Sequence, residues 1–170
     1  MNFCDWFQLH ESSLSELYKS AVEMLPTTKR QHATNTIKLT HLDWVPYLGL
    51  KTLFVKALAQ NEGREYSPII LFKNVQYTED GVKLTANNGN VYKLKPLSLD
   101  ENNVLVRCQC LDFKYRFKFY NYQDHSLYGD KGKKYIAKTN RGPCNPNEAA
   151  GLCKHLMKLI KVLQEAKILD

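Results

Sequence analysis

Four residues fall in two tight pairs, Cys108-Gln109-Cys110 and Cys153-Lys154-His155. Thiolate and imidazole are ligands of the right softness for zinc, and three cysteines with one histidine suit a closed structural site. The pairs are 42 residues apart (153 − 110 − 1), which does not forbid a shared site, because only proximity in the fold matters. A second reading stands beside the first: cysteine is often a small apolar filler of a core. Cys144, in the rigid Gly142-Pro143-Cys144-Asn145-Pro146 segment, is an alternative ligand in place of His155, and Cys4 reads as a packed apolar residue. His10, His32, His41 and His125 show no ligand spacing with one another. Asp124-His125 makes a poor acid–base couple, since neighbours on an extended chain point to opposite faces. The sequence has no Gly-rich phosphate loop, no His-Glu-x-x-His and no nucleophile elbow. The chain therefore reads as no enzyme, with no catalytic residue and no small-molecule substrate.

Two elements must carry the pairs. Asn103 to Cys110 reads as a strand, with Val104, Val106 and Cys108 on one face. From about Gly151 to Ile168 a helix is expected, its apolar stripe being Leu152, Leu156, Leu159, Ile160 and Leu163. Residues two apart on a helix diverge by about 200°, so Cys153 belongs at or just before the first turn and His155 inside it. Strand end and helix start would then face each other across a small core.

The rest of the chain supplies that core. Ser13-Leu14-Ser15-Glu16 is a capping-box pattern, and Leu14, Leu17, Tyr18, Ala21, Val22 and Leu25 follow at helical spacing before Pro26, giving a helix over 13–25. Thr36 to Thr40 fits a short strand, Pro46 to Gly49 a turn, and Thr52 to Ala59 a strand. Ile69–Tyr77, Val82–Ala86 and Val91–Leu97 read as a three-stranded meander, turned by Glu79-Asp80-Gly81 and Asn87-Asn88-Gly89. Phe113 to Phe119 alternates Lys114, Arg116 and Lys118 with aromatics, as in a strand with a basic wet face. Residues 123–146 are irregular. The expected fold class is α+β: a mostly antiparallel sheet with an N-terminal and a C-terminal helix around a zinc site, in one domain over 1–170. A stretch of about 1–60 is a candidate docking extension.

The 170 residues carry 24 Lys and Arg against 17 Asp and Glu, a net +7. That balance permits attraction to phosphates or to an acidic protein surface. Arg107, Lys114, Arg116, Lys118, Lys131, Lys133 and Lys134 are the candidate contacts for nucleic acid or a partner. No stretch approaches the roughly 18 apolar residues of a membrane span. The first residues lack the basic and apolar regions of a signal peptide, so no membrane role and a reducing cytoplasm are expected.

The Cys-x-Cys and Cys-x-His pairs resemble the SWIM-type zinc finger over about 105–165, which implies nucleic-acid or protein binding. A wider set resembles a family of virion structural proteins from contractile-tailed phages, cyanophages among them. It comprises Val106 to Phe113, Arg116-Phe117, Tyr120-Asn121, Leu127-Tyr128-Gly129, Asn145-Pro146 and Gly151 to Leu156. This resemblance implies a virion role without naming a part of the particle; the expected function is a non-enzymatic structural or assembly protein of the tail, baseplate or neck. The ligand positions the resemblance carries over are Cys108, Cys110, Cys153 and His155, and one structural zinc, read from their types and pairing, is the expected cofactor. Other virion proteins in a symmetric multi-subunit assembly are then the expected partners, and the expected places are the virion and, during assembly, the host cytoplasm. Nucleic acid is the alternative partner.

Overall fold

A computed structural model of the chain describes residues 11–24 and 33–170. Helix α1 (Leu14–Met24) is followed by β1 (Lys38–Tyr47), β2 (Thr52–Asn61), β3 (Arg64–Tyr66), β4 (Ile69–Phe72), β5 (Tyr77–Thr85), β6 (Val91–Leu94) and β7 (Val104–Arg107). A π-helical turn (Phe113–Phe117) runs into α2 (Lys118–Gln123), and α3 (Lys154–Glu165) comes last. The fold is α+β with antiparallel sheets, an N-terminal helix and a C-terminal helix.

The capping box forms as its residue types require. Ser13 N–H donates to Glu16 Oε2 at 3.0 Å, and Glu16 N–H to Ser13 Oγ at 3.3 Å. Leu14, Leu17 and Ala21 then enter the core. Leu25 and Pro26, read as the end of this helix, lie outside the described residues.

The main sheet runs β1-β2-β4-β7, with β3 also paired to β2. Its register puts Leu53 beside Phe72, Val55 beside Ile70, Ile70 beside Val106 and Phe72 beside Val104. Directly opposed residues share a face, so these six side chains, all buried, form one apolar surface. It shares a core with Leu152, Leu156, Leu159, Ile160 and Leu163 at and on α3. The stretch of about 1–60 supplies α1, β1 and β2 where described, and Leu14, Leu17, Leu53 and Val55 belong to that same core. The outer edge of β7 is also paired: Val104 N–H donates to the Ser12 carbonyl, Val106 N–H to that of Ser126, and Tyr128 N–H to that of Val106.

Four sequence readings need correction. Phe113–Phe119 is helical, not a strand. Phe113 and Phe117 lie four apart and are buried together, Arg116 turns inward, and Tyr115 faces solvent. Pro46 lies inside β1, opposite Leu53; on this strand at the end of the sheet order its missing N–H costs no ladder bond, and the turn falls at 48–51. The strand read over Thr36–Thr40 begins at Lys38 and continues to Tyr47. The meander is broken too. β4 stops at Phe72, where Asn102 Nδ2 donates to the Lys73 and Asn74 carbonyls, and β5–β6 is a separate two-stranded sheet. Glu79-Asp80-Gly81 lies within β5 as an irregularity, with Tyr77 and Val82 both opposite Leu94. A Cβ at Gly81 would collide with the Leu94 backbone, so the close approach needs glycine. The Asn87-Asn88-Gly89 hairpin between β5 and β6 forms, with Gly89 at φ +83°.

Candidate metal centre

Cys108 and Cys110 continue the line of β7. Val104 and Val106 face the core, and two-residue alternation carries both cysteines to the same side, each 3% exposed. Cys153 is the residue that caps α3 and has extended backbone (φ −80°, ψ 166°); His155 lies in the first turn. Both are buried. The ligand atoms of the four residues all lie within 4.8 Å of one another. Sulfurs on a tetrahedral zinc are about 3.8 Å apart, given bonds of about 2.3 Å, so the cluster is close to the size a metal ion needs.

The donor set fits a metal on a second count. His155 Nδ1 is 3.9 Å from Cys108 Sγ, so one ring nitrogen faces the cysteine sulfurs, and its buried Nε2 has no hydrogen-bond partner among the described residues. Cys110 Sγ accepts the Phe113 N–H at 3.3 Å, a backbone donor that favours thiolate. The hydrogen bond between Cys108 and Cys110 holds the Cys108 thiol above its ordinary range and Cys110 below. Burial pushes Cys153 well above. Cys108, Cys110, Cys153 and His155 could thus hold one metal ion, which would tie the end of β7 to the start of α3.

Buried polar side chains fix the segments that carry these ligands. Asn121 on α2 binds Gly151, two residues before Cys153, through Nδ2 to the carbonyl (3.1 Å) and Oδ1 from the N–H (3.0 Å). Asn145 Nδ2 donates to the Arg116 and Ala149 carbonyls at 2.8 and 2.9 Å. Tyr66, opposite Ala59 and so on the core side of the sheet, packs its ring 4.3 Å from that of His155. Sequence reasoning assigned none of these three a part in the site. Asn121 and Asn145 entered only as members of the Tyr120-Asn121 and Asn145-Pro146 motifs of the resemblance, and nothing local marked Tyr66.

Cys144 is outside the cluster; its thiol donates to the Tyr115 carbonyl at 3.4 Å. The basic candidates separate. Arg116 pairs with Asp112 (2.6 Å, at an angle outside hydrogen-bond range), and its Nε donates to the Cys144 carbonyl. Burial beside Arg116 leaves the Asp112 carboxyl raised overall. Arg107 Nη1 donates to the Tyr128 carbonyl at 3.0 Å. Burial and then the charge of Arg107 push the Lys118 ammonium down; Lys114 adds to this and the Asp130 carboxylate opposes it. Lys131 and Lys133 are exposed, and Lys134 pairs with Glu148 at 3.1 Å. No described helix is long and apolar enough to cross a membrane.

No family model, curated protein or solved structure matches the chain.

Proposed function

We propose that this is a non-enzymatic structural and assembly protein of a tailed-phage particle, in its tail, baseplate or neck, held rigid by one structural zinc. The observation that carries the metal part is the closure of the site: four protein ligands, all buried, within 4.8 Å. A four-ligand set leaves no open coordination position for substrate. Metal binding contributes directly to folding free energy, and a part that docks in a larger assembly needs a fixed shape. The particle, its other virion proteins as symmetric partners, and a life in the virion and host cytoplasm rest on the resemblance carried by Val106–Phe113, Gly151–Leu156 and the shorter motifs between them.

Two measurements test this. Zinc per chain is measured by mass spectrometry on untagged wild type, Cys153→Ser and Cys144→Ser. One zinc, lost in Cys153→Ser and kept in Cys144→Ser, is the expected result; a folded wild type without zinc sinks the metal reading. Peptide mass spectrometry of purified particles from a phage encoding the chain should find it at fixed stoichiometry, and its absence ends the virion reading.

Lys114 and Lys118, four apart on one helical segment, and the exposed Lys131 and Lys133 favour a second reading, a SWIM-like zinc module on nucleic acid. That reading requires DNA or RNA affinity that falls linearly with the logarithm of salt concentration.

A further inference from the structure

The helical turn after Cys110 and the long loop that follows α2 build one exposed face. Leu111 and Tyr115, four apart, are 58% and 40% exposed; Tyr135 and Ile136 on the loop are 47% and 80% exposed. The Tyr115 and Tyr135 rings pack 4.7 Å apart and join the two halves. A groove of about 310 Å³ opens beside them, with Lys134 and Arg141 on its wall. Lys114 Nζ lies 5.3 Å from the Tyr115 ring centre. From Lys131 to Arg141 the loop carries five cations and no carboxylate. Glu148, the acid lining the groove, is engaged by Lys134.

We propose that this face, centred on Tyr115, Tyr135 and Ile136 and rimmed by Lys114 and Arg141, docks an acidic segment of a partner protein. The inference rests on the assembly reading and names its surface. Aromatic and arginine side chains dominate the energetics of protein interfaces, and the charge of the rim sets the sign of the partner. The face is held in place beforehand. Gly132 sits so close to α2 that a Cβ would be 2.9 Å from Phe119 Cα, and the backbone at Cys144 is bonded to Arg116. A pre-ordered surface binds with less entropy lost. The geometry favours protein over nucleic acid. Leu111 and Ile136 offer no ring for a base to stack on, and the two tyrosines, tilted 46° against each other, leave no parallel slot between them.

The test uses the zinc-loaded full chain and fluorescence anisotropy with three labelled probes: a peptide alternating Glu and Phe, poly-Glu of equal length, and oligothymidylate. The Glu/Phe peptide should bind saturably, and Ile136→Asp and Arg141→Glu should each weaken it about tenfold. Lys38→Glu, on exposed β1, should change nothing. Circular dichroism and zinc content certify the fold of each variant. No binding of the Glu/Phe peptide, or poly-Glu binding equally well, overturns the proposal. Oligothymidylate binding that Tyr135→Ala abolishes assigns the face to nucleic acid instead. Zinc content and the presence of the wild-type chain in particles are measured without these probes or variants, so failure of this face and failure of the assembly reading are separable.

Discussion

Asn121 and Gly151 hold each other through two hydrogen bonds, 30 residues apart in sequence and fully buried or nearly so. The pair fixes the chain two residues before Cys153, so the second half of the candidate metal cluster is aimed by an amide on α2. Asn121→Ala leaves the Gly151 N–H and carbonyl buried without partners. Each such group costs about 1–3 kcal/mol. Urea denaturation of the metal-loaded protein should show a loss of that order, and metal affinity should fall with it. Unchanged stability would mean the clamp is incidental.

Gly151 is constrained sterically as well. A Cβ there would be 2.6 Å from Phe117 Cε1 and 3.2 Å from Ala21 Cβ. Gly151→Ala therefore forces the buried ring to move, at a cost of about 1–3 kcal/mol. Phe117→Leu made in the same chain should return part of the loss. The check is a double-mutant cycle on denaturation midpoints; additive losses would show that the ring is not the obstacle.

The grouping of the two Cys/His pairs and the helix that carries one of them were legible, because thiol pairing and a 3.6-residue stripe are local signals. The capping box of α1 was legible for the same reason. The Phe113–Phe119 segment was not. A strict alternation also contains every fourth residue, so Phe113 and Phe117 satisfy strand and helix patterns alike. The Asp112–Arg116 pair at helical spacing and the buried polar Asn121 decide the matter, but only the fold shows what they touch. Likewise Glu79-Asp80-Gly81 has turn chemistry, and pairing with Leu94 turns it into an irregularity within a strand. The Tyr66–His155 contact joins β3 to α3 and leaves no local trace in sequence.

Tyr77 gives the fold an alkaline limit. Its hydroxyl donates to the Thr52 carbonyl at 2.5 Å, and burial raises its pKa from 10.0 to about 12. With the folded value above the unfolded one, the stabilisation is complete below pH 10 and is lost as pH rises toward about 12. Denaturation midpoints of wild type should fall across that window more steeply than those of Tyr77→Phe, which has no proton to lose. Parallel curves for the two proteins would refute the assignment.

Tyr66 should matter to the metal without touching it. Its ring lies 4.3 Å from the His155 ring at 32°, and no protein atom of the described residues hydrogen-bonds His155 Nε2. With one nitrogen unsupported, ring packing is what holds the imidazole's orientation. Partners that orient a metal ligand are commonly worth about 10–100-fold in affinity. Tyr66→Ala should therefore weaken metal binding about tenfold in competition with a chromophoric chelator, and Tyr66→Phe, which keeps the ring, should bind as wild type. The cobalt-substituted protein adds a readout that a general loss of stability would not mimic. Its visible ligand-field bands should shift in Tyr66→Ala and not in Tyr66→Phe. If Tyr66→Ala matches wild type in affinity and spectrum, the imidazole is held by its backbone and the metal alone.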